Sequence, residues 1–169
     1  SGSGVLRQAG TGTTILTGNS TYNANTQILA GILQIGNGGT TGELGTGEIQ
    51  VGGTLVINRS NNLAIQGAST LSGAGTVIQR GTGYLALATS NPLFTGEFIV
   101  EAGSLLSNVN GALGSGGRGV TVRSGATLSI SNTGNYIYGG PISLAGTGVG
   151  GLGALQISGV TQRLDGLHS

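Results

Sequence analysis

The chain has 169 residues, 37 of them glycine, with 7% charged residues and a net charge of +1. It has no cysteine and no lysine, which excludes a disulfide scaffold, a cysteine zinc site and a Walker A loop. Two prolines and 37% hydrophobic residues exclude collagen and disorder by low hydrophobicity, and six scattered arginines make no basic patch for nucleic acid or an anionic membrane.

No helix is expected, because glycine costs about 1 kcal/mol against alanine in a helix interior and no glycine-poor window carries an i, i+3, i+4 stripe. Short runs rich in Val, Ile, Leu and Thr recur instead, punctuated by Gly, Asn or Ser. In chain order they predict strands over Thr13–Leu16, Gln27–Leu29, Ile32–Ile35, Glu48–Val51, Thr54–Ile57 and Thr76–Gln79. Further strands are expected over Tyr84–Ala88, Phe98–Val100, Gly119–Val122, Thr127–Ile130 and Ala154–Ile157. Apolar residues alternate within several of them, as at Leu33 and Ile35, Leu55 and Ile57, and Leu128 and Ile130. Period two with β-branched enrichment reads as half-buried strand.

The strands sit in an internal repeat of about 72 residues. Gly10-Thr11-Gly12 returns as Gly81-Thr82-Gly83, Ala30-Gly31-Ile32-Leu33 as Ala102-Gly103-Ser104-Leu105, and Gly53-Thr54-Leu55-Val56-Ile57 as Ala126-Thr127-Leu128-Ser129-Ile130. Leu144-Ala145-Gly146-Thr147-Gly148 repeats Leu71-Ser72-Gly73-Ala74-Gly75 and opens a third copy. The unit divides into about three coils of roughly 24 residues, which makes an all-β chain a β-solenoid with coils stacked at ~4.8 Å. The expected division is one solenoid segment over 1–160, with copies over 1–70 and 71–143 and a third starting at 144, followed by a tail or linker over 161–169. The absent initiator Met and signal peptide point to an internal piece of a longer chain.

Residues 10–22, Thr26 to Gly36, Asn37 to Gly45 and Gly53 to Ser60 resemble the passenger-associated transport repeat of bacterial autotransporters. The likeness is close over 10–65 and looser over 71–143, where Ser90-Asn91-Pro92-Leu93-Phe94-Thr95-Gly96 departs from it. The resemblance implies a right-handed parallel β-helix, an extracellular or cell-surface location, and membrane association only through a C-terminal barrel outside this chain.

Candidate chemistry is sparse. Glu97 and Glu101 are four apart on a strand-like run, and ~13 Å of strand is too wide for a retaining glycosidase pair. Glu43 and Glu48 flank a glycine-rich turn, and all four glutamates read as surface carboxylates. Asp165 and His168 fall in the terminal stretch without a nucleophile elbow. Gly-x-Gly-x-x-Gly at Gly114–Gly119 and Gly146–Gly151 is expected by chance at this glycine content and opens no helix. No catalytic residue, cofactor or metal is expected. For partner contact the candidates are Tyr136 and Tyr138, two tyrosines at i, i+2 for which stacking of aromatics on neighbouring coils is the favoured alternative, with Arg118 and Arg123 adding charge nearby. The expected function is a non-catalytic stalk or adhesin segment, with a host-cell, matrix or glycan ligand. A filament built by end-to-end self-association is the alternative, followed by a β-helix polysaccharide enzyme.

Overall fold

The structure, a computed structural model, describes residues 3–20 and 22–164, with side chains at 133–137 and 160–164 undescribed. Asp165 and His168 lie outside the described residues. Sixteen strands follow in chain order, joined by tight turns, with one 3-10 turn at Val149–Gly151 and no α-helix among the described residues.

Coil 1 holds β1 (Leu6–Gln8) and β2 (Thr13–Leu16), and coil 2 holds β3 (Thr26–Ile28) and β4 (Ile32–Ile35). Coil 3 runs through β5 (Ile49–Val51), β6 (Thr54–Ile57) and β7 (Leu63–Ile65), and coil 4 through β8 (Leu71–Ser72), β9 (Thr76–Gln79) and β10 (Tyr84–Leu87). Coil 5 holds β11 (Glu97–Val100) and β12 (Ser104–Ser107), coil 6 holds β13 (Gly119–Val122) and β14 (Thr127–Tyr138), and coil 7 holds β15 (Ile142–Leu144) and β16 (Leu155–Leu164). The strand β16 carries past the boundary expected at 160.

Every strand pairing is parallel, and the coils build three sheets. Sheet A has the order β1-β3-β5-β8, sheet B β2-β4-β6-β9-β11-β13-β15, and sheet C β7-β10-β12-β14-β16. The molecule is a parallel β-solenoid. At ~4.8 Å between neighbouring strands, the seven-stranded sheet B is about 29 Å long.

The core is a set of columns along the rod. In sheet B, Leu33, Leu55, Val77, Phe98, Val120 and Ile142 stand in register from coil to coil, and each is 2% exposed or less. Period-two alternation turns these residues inward; of the residues that follow them, Thr121 is half-buried and Ser143 exposed, while Gln34 and Val56 are buried as well. Phe94 and Phe98 add the bulkiest packing, with ring centroids 4.9 Å apart and planes tilted at 55°.

Steps along that column are 21 or 22 residues, shorter than the 24 the sequence led us to expect. The repeat and the coil are therefore out of phase. An offset of 71 carries β1, β3 and β5 of sheet A onto β9, β11 and β13 of sheet B. Offsets of 71, 72 and 73 carry β2, β4 and β6 of sheet B onto β10, β12 and β14 of sheet C. One repeat is three coils plus one face of the rod. The first copy is built mainly on faces A and B, the second on B and C. Residues 145–154, a longer glycine-rich corner, absorb the extra length in coil 7, so that β16 stays on sheet C above β14.

Corners are held by side chains whose role the composition hid. Gln79 is 2% exposed, and its Nε2 donates to the carbonyls of Gly81 and Gly83 at 2.8 and 3.0 Å. Gln8, its counterpart in the first copy, donates to Gly10 and Gly12 in the same way. The Thr14 hydroxyl donates to Gln8 Oε1 at 2.6 Å. Leu85 takes the place of Thr14 in the second copy, and Gln79 Oε1 is buried without a hydrogen-bond partner.

Asn91 closes the end of sheet A beyond β8. It is fully buried, accepts the Leu71 N–H at 2.7 Å through Oδ1, and donates through Nδ2 to the carbonyls of Thr89 and Ala112. The Asn91→Leu variant keeps the volume and strands one donor and two acceptors, so a loss of about 2 kcal/mol is expected. Thermal unfolding followed by circular dichroism should show a midpoint lower by roughly 4–8 °C.

Candidate functional site

The predicted contact residues do not converge on one exposed patch. Tyr138 is 4% exposed and belongs to the core. Its burial leaves no exposed ring there for partner contact. Tyr136 has its backbone in β14 opposite Gln162 of β16, while its side chain lies outside those described. Arg118 is committed to the rod itself. Its Nη2 reaches down two coils to the carbonyls of Ala74 and Gly75 and to the Thr76 hydroxyl, at 3.0 to 3.2 Å. Arg123 is 60% exposed and stands 3.8 Å from Glu101.

The glutamates are more engaged than surface carboxylates need be. Glu101 is 23% exposed, accepts from Arg80 Nε at 2.7 Å, and lies between Arg80 and Arg123 of the neighbouring coils. A partly exposed row of this kind contributes little to stability, since solvent screens it. Glu48 accepts from the Ser72 hydroxyl at 2.6 Å, and Glu97 faces the Thr121 hydroxyl at 3.4 Å. Among the described residues no group of three or more His, Cys, Asp or Glu could hold a metal ion. No helix among them is long and apolar enough to cross a membrane.

A notch of about 340 Å³ opens in the flank of the rod. It arises where sheet C ends at β7. Coil 2 supplies no strand beside β7; its residues 40–46 pass there as an irregular loop. Arg59 ties that loop to coil 3. Its side chain is 5% exposed, with Nη2 donating to the Thr40 carbonyl at 2.8 Å, Nη1 to the Gly42 carbonyl, and Nε to Asn61 Oδ1 at 2.9 Å. Glu43, 45% exposed, lies 3.9 Å from the guanidinium. The planar fork suits this task, because it spreads several donors over carbonyls that one ammonium could not reach together.

Leu44, Ile49, Leu63 and Ile65 give the notch apolar walls, with Thr46 and Ala64 exposed at its mouth. Nothing in the sequence marked this site. A single arginine among Asn and Ser carries no pattern, and its acceptors are backbone carbonyls.

The fold places the chain in the class of parallel β-solenoid rods. Two stretches of the chain, residues 6–35 and 77–106, match the family described as passenger-associated-transport-repeat. These are the two copies whose strands move by one face. Over 74 residues the chain is 45% identical to a protein described as the adhesin BmaC autotransporter of Brucella suis biovar 1 (strain 1330). That stretch is 44% of this chain and 2% of the relative, so the chain corresponds to a small part of a much longer protein. No solved structure matches the chain. The chain thus carries two stretches that match the passenger-associated transport repeat.

Proposed function

We propose that this segment forms part of the extracellular passenger of an autotransporter at the bacterial cell surface, as a stiff, non-catalytic rod that contributes to adhesion. The observation that carries this reading is the uninterrupted parallel solenoid, whose strands match the passenger repeat twice. The relative's description as an adhesin supports the adhesive role. Ladders of buried columns with few charged groups suit a spacer better than a reaction site.

The test uses beads coated with the 169-residue chain, presented to cultured host cells and to immobilised matrix proteins and glycans. Retention above that of beads coated with an unrelated β-rich protein is the expected result. Equal retention overturns the adhesive role, and release of reducing sugar from a polysaccharide panel overturns the non-catalytic one.

A further inference from the structure

Two sheets of this rod end partway along it, and the chain treats the two ends differently. Beyond β8, sheet A is closed by the chain itself. Asn91 Oδ1 takes the Leu71 N–H, Gly73 N–H donates to the Leu93 carbonyl at 3.1 Å, and Thr95 N–H to the Gly73 carbonyl at 2.9 Å. Before β7, sheet C has no such closure among the described residues, and the 340 Å³ notch lies there.

The direction of the free groups follows from the register. Leu63, Ala64 and Ile65 pair with Leu85, Ala86 and Leu87 of β10, and the Ala88 N–H donates to the Ile65 carbonyl at 2.9 Å. Backbone polar groups alternate in direction along a strand, so Leu63 and Ile65 turn theirs to β10. Ala64, between them, turns its N–H and C=O to the notch. An open edge in a folded protein is normally covered, charged or bulged. Here the loop over residues 40–46, tied to coil 3 by the buried Arg59, lines the notch without forming a strand, and the edge residue is an exposed alanine.

We propose that the notch is a docking site for an extended polypeptide segment of a partner protein, which adds a strand to sheet C beside β7. Three features choose this occupant over a sugar or an anion. The edge offers a backbone donor and acceptor together, which is the pattern an extended main chain matches. Leu44 and Leu63, both half-buried, provide apolar surface for alternate side chains of such a strand. The charge within the notch is already balanced, since Arg59 is engaged by carbonyls and faced by Glu43, so the complementary ligand is an uncharged backbone. No tyrosine or phenylalanine lines the notch to serve as a stacking platform for a sugar ring.

This inference deepens the adhesive reading by naming the class of partner, and rests on it only for its biological setting. The test is an immobilised array of hexapeptides with apolar residues at alternate positions, probed with the labelled 169-residue chain. The Ala64→Pro variant removes the donor facing the notch and leaves the groups facing β10 in place, a substitution that an edge strand accepts. Thr46→Trp puts a bulky ring at a lining position outside β7. Wild type is expected to retain a subset of peptides, and each variant to lose at least tenfold in affinity for that subset while keeping the wild-type circular dichroism spectrum. Retention of no peptide by wild type overturns the proposal, as does undiminished binding by Thr46→Trp, which stays decisive should Ala64→Pro misfold. Bead adhesion that persists in both variants leaves the adhesive function standing and places it elsewhere on the rod. Peptide binding without bead adhesion upholds the notch and removes the adhesive function.

Discussion

Replacing Arg59 with methionine is expected to cost about 3 kcal/mol, among the largest effects of any single change to a polar residue in this chain. The guanidinium is 5% exposed and serves three acceptors, the carbonyls of Thr40 and Gly42 and the Asn61 side chain. Methionine fills a similar volume and returns none of those hydrogen bonds. Glu43, half exposed, can rehydrate, so the cost falls on the carbonyls and on the loop they hold. Thermal unfolding should show a midpoint lower by roughly 6–12 °C. Hydrogen exchange should quicken first in residues 36–48, because a solenoid coil contacts chiefly its neighbours and opens locally. Arg59→Lys is expected to recover less than half of the loss. Full recovery by lysine would mean that charge alone, rather than the forked geometry, holds the loop.

The second large effect is expected at Gly103. Its φ is +61°, and a Cβ placed there would lie 2.1 Å from the Gly83 carbonyl oxygen of the coil below. Alanine at this position must force the two coils apart at a corner, on top of the 1–2 kcal/mol of the left-handed conformation. A total on the order of 3 kcal/mol or more is expected. Gly125 is the internal control, with a φ of +85° and nothing within 4 Å of its Cβ position. Gly125→Ala should cost only the conformational part, about 1–2 kcal/mol. Urea denaturation of the two variants side by side measures the difference. Equal losses would show that stacking of the coils tolerates a methyl group at the corner.

Most of the strands were legible in the sequence, because burial on one face leaves an alternation that survives in runs such as Thr54–Ile57. The strands that escaped are those where the pattern is too short or lacks alternation. Strand β7 is a three-residue run between asparagines and Gln66-Gly67, and β12 sets Leu105 beside Leu106, of which only the first is fully buried. The repeat was legible from glycine spacing, but its phase was not. Whether 71 residues close three coils or overshoot by a face depends on how many residues each corner consumes, and corners are written in interchangeable glycine, serine and asparagine. The site was the least legible part. Tyr138 could be read as a contact residue or as an aromatic packed between coils, because tyrosine is amphipathic, and it is 4% exposed. Arg59, Asn91 and Gln79 act on backbone carbonyls and amides, which leave no complementary residue in the sequence to signal them.

The mismatch between repeat and coil bears on how such a chain changes length over evolutionary time. Because the second copy works one face further round, each duplicated strand has proved serviceable in a setting other than its original one. Insertion or loss of a whole repeat by unequal recombination therefore need not restore any rotational phase to yield a continuous core. A rod assembled from such units can be lengthened or shortened freely, its reach from the cell tuned by copy number alone.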